Sequence, residues 1–520
     1  MQTATTGLPV SPENSRSRQV EFLTIGGIVF VGLLLRLPLW MAPGPGRDEA
    51  AYHYWVHHPE PVFAPLLQAA VRCFEFIGSC SLWSLRGPVV LLGVVALMLN
   101  DRRLREAGAS LNSRRLALAT LAFTPWQSFA GSILHPDNFF LVGMLVLVIA
   151  VQRKQILLSA VVASSMVLAK PTGLLMLPVV WWLAGRLGTS PARPSAPSLR
   201  WRVTTSRLML LSTLVAFVLL MDRSMLDGIA NFGRMAGVVP LASRLSAWSL
   251  ALVFLGGPLL LVLSIPGIRQ RWTIMRHRGQ SEARREAEAA LAIAGIVLVF
   301  FISAAIFRDQ FKANWVLPAF VLLWPIRLPR WPRSVLAVGL VLTVMGSVGQ
   351  SIVFLQSGMG GSAKAVLTGI ESVSNYELHA SVREAKVSSS LTWHHRAAEY
   401  GDVSGFADRV AAGWDSNGSA EPLRWIVSDD YGLAAQVSWH LRPPDVRMVI
   451  PGDGIFYRTV PPLLRAQNPG GILVLAVRTP PGDIWDNLRI TATLPELDHP
   501  VTGQIIYPCV AQLLSNGGQP

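Results

Sequence analysis

The sequence predicts an α-helical polytopic membrane protein of about 11–13 transmembrane helices followed by a C-terminal α/β domain on the extracytoplasmic side. Three observations carry this. The 520 residues are 51% hydrophobic and only 15% charged, whereas a soluble domain is nearer to about 25% charged. Apolar runs long enough to cross about 30 Å of hydrocarbon recur along most of the chain. Lysines and arginines fall in short clusters between those runs, so the net charge of +14 reads as topological and not as a nucleic-acid surface. Three cysteines exclude a disulfide framework, and no CxxC or Cys/His spacing suggests a metal site. Cys73 and Cys80 could still pair in an oxidising compartment.

Residues 1–21 are polar and Ser/Thr/Pro-rich, and read as a cytoplasmic tail. The apolar run 22–42 is too long for the core of a cleaved signal peptide and lacks an A-x-A site, so it reads as an anchor that stays. Ten more apolar segments, 82–99, 116–131, 137–151, 155–169, 171–185, 208–221, 247–267, 288–307, 314–326 and 334–355, bring the spans to eleven within a module of 22–356. The stretch 62–78 differs. Val62, Phe63, Leu66, Leu67, Ala70, Val71, Phe74 and Ile77 share one helical face, while Gln68, Arg72 and Glu75 fall elsewhere, as in a helix lying in the membrane interface.

Alternate loops hold 23 against 8 Lys+Arg, which places the amino terminus in the cytoplasm and the loop 43–81 outside. Residues 357–520 then also lie outside. "SGMGGSAKA" (357–365) reads as the linker, and over 360–520 there are 12 basic residues against 16 acidic ones. "LRWIVSDDYGLAAQVSWHL" reads as strand, turn and helix, and "VRMVI" and "GILVLAV" as further strands. There is no internal repeat of fixed period.

The chemistry gathers on the outer side. "GPGRDEAAYHYWVHHPEP" sets Asp48 and Glu49 just past the first span among histidines and aromatics. Such acids often cap a helix or meet solvent. Here an interfacial helix follows, and a second acid, Asp137 in "SILHPDNFFLVG", stands at the mouth of the fourth span, where a carboxylate either caps its helix or faces a cavity. Lys170 in "SSMVLAKPTGLLMLP" either snorkels to the interface or serves as a cation for an anionic headgroup. "FRDQFKANWVLP" adds Arg308, Lys312 and Asn314, whose two cations run against the positive-inside pattern.

At these residues the chain resembles a known group. "RDEAAYHYW" with "HPEP", the acid at the fourth span, "AKPTGLLMLP", "KANWVLPAF" and the tail segment "RWIVSDDYGLAAQVSWHL" together resemble the aminoarabinose transferase and protein O-mannosyltransferase superfamily of polyprenyl-phosphate-sugar glycosyltransferases, the GT-C fold. Each motif alone is weak; their order and common sidedness carry the likeness. The resemblance implies a membrane-embedded inverting hexosyl- or pentosyltransferase in the bacterial inner membrane. It would take an undecaprenyl-phosphate-type donor and glycosylate an envelope acceptor, whether lipid A, another glycolipid, a glycan or a protein. It implies Asp48 as the base, with Glu49 and Asp137 as further acids of the cavity. Lys170, Arg308 and Lys312 would hold the carrier phosphate. Arg47, Tyr52, His53, Tyr54, His135 and Asn314 would line the pocket for sugar and acceptor. No cofactor, metal or nucleic acid is implied. The sequence departs from the pattern where the proline-and-glycine stretch after the acidic loop is reduced to "PEPVFAPLL", and the tail is of its own kind, which leaves the acceptor open. A transporter or flippase of lipid-linked sugars is the alternative; it would want polar residues near the midplane and repeated halves.

Overall fold

The computed structural model describes residues 12–42, 44–57, 65–78, 81–188, 197–220, 241–277, 281–307, 313–357, 403–416, 423–428, 430–441, 447–449, 471–476, 488–493, 497–498 and 505–513. Helices α1 (Pro12–Leu34) and α2 (Leu37–Trp40) lead to α3 (Arg47–His57) and α4 (Pro65–Gly78). The bundle continues with α5 (Leu82–Glu106), α6 (Leu111–Phe123), α7 (Pro125–Ala130), α8 (Asp137–Gln152), α9 (Ile156–Ala169), α10 (Met176–Gly188) and α11 (Pro197–Leu220). After these come α12 (Leu241–Gly256), α13 (Pro258–Arg276), α14 (Glu282–Phe307), α15 (Leu317–Leu322) and α16 (Arg333–Ser357).

All eleven predicted apolar segments fall on helices, but not all as single straight ones. Among the described residues four helices are long and apolar enough to span by length and composition, within α5, α11, α14 and α16, and the bent pair α12–α13 makes a fifth. The rest are shorter or broken, and prolines explain much of this. Pro125, Pro171 and Pro258 each open the element that follows a break, and Pro318 is the second residue of α15, positions where the missing N–H costs nothing. The 95° bend between α12 and α13 sits at Gly257, whose φ of 72° suits glycine and whose missing Cβ admits Thr343.

Helix α8 is apolar on all sides and is accordingly buried, with Leu141, Met144, Leu145 and Val148 packed among α5, α9 and α14. The outward faces of α11 (Leu208, Leu211, Leu214, Val218) and α16 (Val335, Val338, Val341, Met345) are exposed and apolar, which suits a lipid-facing periphery. At the arginine-rich end, Glu286 of α14 accepts from Arg103 Nη1 at 2.6 Å and Arg271 Nη2 at 2.8 Å, all three fully buried. Further donors of the two guanidinium groups, Arg103 Nη1 and Nη2 and Arg271 Nη1, reach the carbonyls of Leu322, Val321 and Trp324, and the knot ties α5, α13 and α14 together.

Helix α4 forms close to its expected place but packs against the bundle. Leu67, Gln68 and Val71 are buried while Phe76 and Ile77 are exposed, so the inward face includes Gln68, which the sequence reading put on the other side. The reason is that α4 packs on both α3 and α5.

The C-terminal part contains α17 (Ser404–Ser416), α18 (Tyr431–Leu441) and strands β1 (Leu423–Ser428), β2 (Arg447–Val449), β3 (Gly471–Ala476), β4 (Leu488–Thr493), β5 (Leu497–Asp498) and β6 (Ile505–Leu513). The sheet order is β2-β1-β3-β6-β4, with β5 on β6. Strand β1 runs parallel to β2 and β3, and β6 runs antiparallel to β3 and β4. The α18 crossover between β1 and β2 makes a βαβ unit.

Candidate active site

Helix α3 carries Asp48 and Glu49 in its first turn, where negative charge suits the helix dipole. The two acids have different surroundings. Glu49 has no exposure. It accepts from Leu134 N at 2.8 Å and Gly46 N at 3.1 Å, and from Arg86 Nη2 at 2.9 Å. The bond to Gly46, the residue before the helix, is half of a capping box. Arg86, from the start of α5, uses its other donors on the carbonyls of Trp40 (2.8 Å), Ala42 (2.9 Å) and Gly44 (2.7 Å). The pair thus fixes the turn from α2 into α3. Asp48, next in sequence, remains partly exposed.

Asp137, first residue of α8, gathers several of the expected residues. Lys170 Nζ lies 2.8 Å from one carboxylate oxygen, Asn314 Nδ2 donates to the other at 2.7 Å, and His135 Nδ1 is 3.2 Å away. Lys170 follows the end of α9 in extended backbone set by Pro171, as the residue before a proline prefers, and its ammonium lies 5.6 Å from the centre of the Trp315 ring. Tyr52, one turn after Asp48, links the two acids electrostatically. Burial pushes its phenol well above the ordinary value, and the charges of Asp48 and Asp137 push it further the same way.

The other expected pocket residues are engaged elsewhere. Arg47 Nη2 donates to Asp430 Oδ1 at 2.9 Å. Tyr54 is buried with Ala50 and Ala51 against Val403, Phe406, Leu433 and Leu473, in the seam between α3 and the C-terminal part. His53 stands edge-on to Trp439 with ring centres 4.4 Å apart and lies 3.2 Å from Glu75. Arg308 and Lys312 lie outside the described residues, as does Cys80.

Sequence reasoning missed Arg86, Asp430 and Glu75 as partners of the acidic loop. Arg86 carried a readable signal, because an arginine inside an apolar run demands a partner. Asp430 caps α18, accepting from Gly432 N at 2.9 Å and Leu433 N at 3.2 Å, and Gln436 of that helix donates to Pro45 O at 2.9 Å.

The fold is that of a polytopic helical membrane protein with an α/β part docked on an acidic helix. Among solved structures, the chain is similar to ArnT from Cupriavidus metallidurans in the apo state, with a TM-score of 0.51 and 17% identity over 95% of this chain and 99% of that one. The same ArnT bound to undecaprenyl phosphate gives a TM-score of 0.49 and 17% identity, over 95% of this chain and 98% of that one. At this identity the likeness is one of fold. No family model matches the chain, and no curated protein matches it.

Proposed function

We propose that the chain is an inverting glycosyltransferase that moves a sugar from a polyprenyl-phosphate donor to an envelope acceptor at the extracytoplasmic face of the bacterial inner membrane. The observation that carries the reading is the division of labour between two adjacent acids. Glu49 is locked into Arg86 and two backbone amides, while Asp48 stays partly exposed on the same turn of α3.

In this reaction the Asp48 carboxylate takes the proton of the acceptor hydroxyl. The freed oxygen attacks the anomeric carbon, and the bond from that carbon to the carrier oxygen breaks, releasing polyprenyl phosphate. General-base assistance of this kind is worth about 10²–10⁴ in rate. Charge growing on the leaving phosphate calls for fixed cations. Lys170 is a candidate that it must share with Asp137, so Arg308 and Lys312 are proposed to complete the clamp. The helix N-terminus beneath Asp48 and the fixed turn before it keep the carboxylate in place, which is what proximity catalysis requires.

The test compares envelope lipids and glycans by mass spectrometry in a deletion strain carrying the wild-type chain or Asp48→Asn. A glycan-modified species present with the first and missing with the second supports transfer. No difference between the deletion strain and its wild-type complement contradicts it.

A further inference from the structure

Outside the acidic pair, α3 presents a second set of chemistry-bearing side chains. His53 and His57 are four residues apart and therefore share one helical face. Their Nε2 atoms each lie 3.2 Å from an oxygen of one carboxylate, Glu75 of α4, and their ring centres are 4.6 Å apart. The three ligand atoms all lie within 4.8 Å of one another. Tetrahedral ligands bound at about 2.0–2.1 Å sit about 3.3 Å from one another, so only a small closure is needed.

We propose that His53, His57 and Glu75 form a binding site for one divalent transition-metal ion, with Zn²⁺ the best match. Two imidazoles competing for one carboxylate must either share its oxygens or carry like charges side by side. A single dication replaces those protons and satisfies all three groups at once. The donor set is two imidazole nitrogens and one carboxylate, which suits Zn²⁺, Co²⁺ or Ni²⁺; Mg²⁺ and Ca²⁺ prefer oxygen ligands alone. Three protein ligands leave a fourth position for water, and His57, 47% exposed, supplies the open side and the entry path. His53 and Glu75 are much less exposed, at 16% and 11%, so the site is anchored on its inner side.

The surroundings favour a fixed geometry. The Trp439 edge holds the plane of the His53 ring. Arg72, one turn before Glu75, donates through Nε to Val56 O at 3.1 Å, which sets α4 in register with the end of α3. His53 lies about 7.5 Å along the helix axis from Asp48 and on a different face. The ion therefore clamps α3 to α4 and does not touch Asp48. This assigns His53 to the clamp instead of the sugar pocket, and the i,i+4 histidine spacing is a signal for it that the sequence reading passed over.

The test uses the full-length protein in detergent, with any polyhistidine tag removed and metals stripped by chelator. Zn²⁺ uptake is followed by calorimetry, and Co²⁺ by its visible absorption, which reports tetrahedral N/O ligation. The wild type should take up one equivalent saturably, and Zn²⁺ should raise its melting temperature. His57→Ala removes a half-exposed ring, and Glu75→Gln keeps the size while losing the anionic ligand. Each should weaken uptake by at least about tenfold and abolish the thermal shift, with elution volume and circular dichroism unchanged. Absence of saturable uptake by the wild type, or wild-type affinity in both variants, would overturn the proposal. No transfer assay enters, so a failure here leaves the reading of Asp48 standing.

Discussion

Arg47 Nη2 lies 2.9 Å from Asp430 Oδ1, joining the residue beside Asp48, the proposed base, to one that caps a helix of the C-terminal part. The same carboxylate oxygen accepts from the amides of Gly432 and Leu433, so one side chain both starts α18 and grips the start of α3. Buried Ala50, Ala51 and Tyr54 complete the seam from the α3 side.

Asp430→Ala therefore removes a helix cap and an ion pair together. Loss of the cap alone costs about 0.5–2 kcal/mol. The pair adds less than a fully buried one, because the Arg47 side chain is 25% exposed. Thermal unfolding should show the loss. Asp430→Asn, which still accepts from the amides, should recover most of the stability but lose the charge on Arg47. Equal melting temperatures for Asp430→Ala and the wild type would remove the seam as a stabilising contact.

Glu49 and Arg86 should behave as one unit. Removing either partner leaves the other buried without compensation, at a cost of about 3–5 kcal/mol. Glu49→Ala and Arg86→Ala should each reduce the amount of folded protein recovered from membranes. Their double variant should be less destabilised than the sum of the two. Additive losses would show that the two side chains are not coupled.

Lys170 and Asp137 call for a similar cycle with a second readout. Lys170→Ala leaves Asp137 buried beside Asn314 and His135, so stability falls. In Asp137→Asn the same Lys170→Ala change should cost less stability. If Lys170 also holds the leaving phosphate, turnover should still fall in that background, and carrier affinity alone should not account for it. Unchanged turnover there would leave Lys170 a purely structural partner.

The loop charges give a topological prediction. Reporter fusions at Gly361 and Gly279 should read opposite sides of the membrane, with Gly361 outside. Both on one side would undo the orientation and the proposed face of catalysis with it.

Much of the architecture was legible because hydrophobic length and loop charge are local properties. Every apolar run carries helix, though 314–326 only over a 3-10 turn and Leu317–Leu322, and "LRWIVS" and "YGLAAQVSWHL" became β1 and α18. Breaks within runs were less legible, since they depend on single prolines such as Pro125 and on Gly257. Strands β4 and β6 escaped because their pairing is long-range. Of the site, the charge pattern gave a common side for Asp137, Lys170 and Asn314, but not contact between residues 33 and 177 positions apart. Nor did it separate Asp48 from Glu49. Their difference lies in Arg86, which comes from another helix, and in the amide of Leu134.

That difference is also where the account is most directly tested. The measurement is transfer by Asp48→Asn in membranes, normalised to folded protein, with the melting temperature taken on the same sample. The amide keeps the shape of the side chain but neither accepts the proton nor carries the charge. The account predicts a loss of at least about 10² in turnover with melting near that of the wild type. Retention of most of the turnover by Asp48→Asn would contradict it and transfer the role of base to another acid.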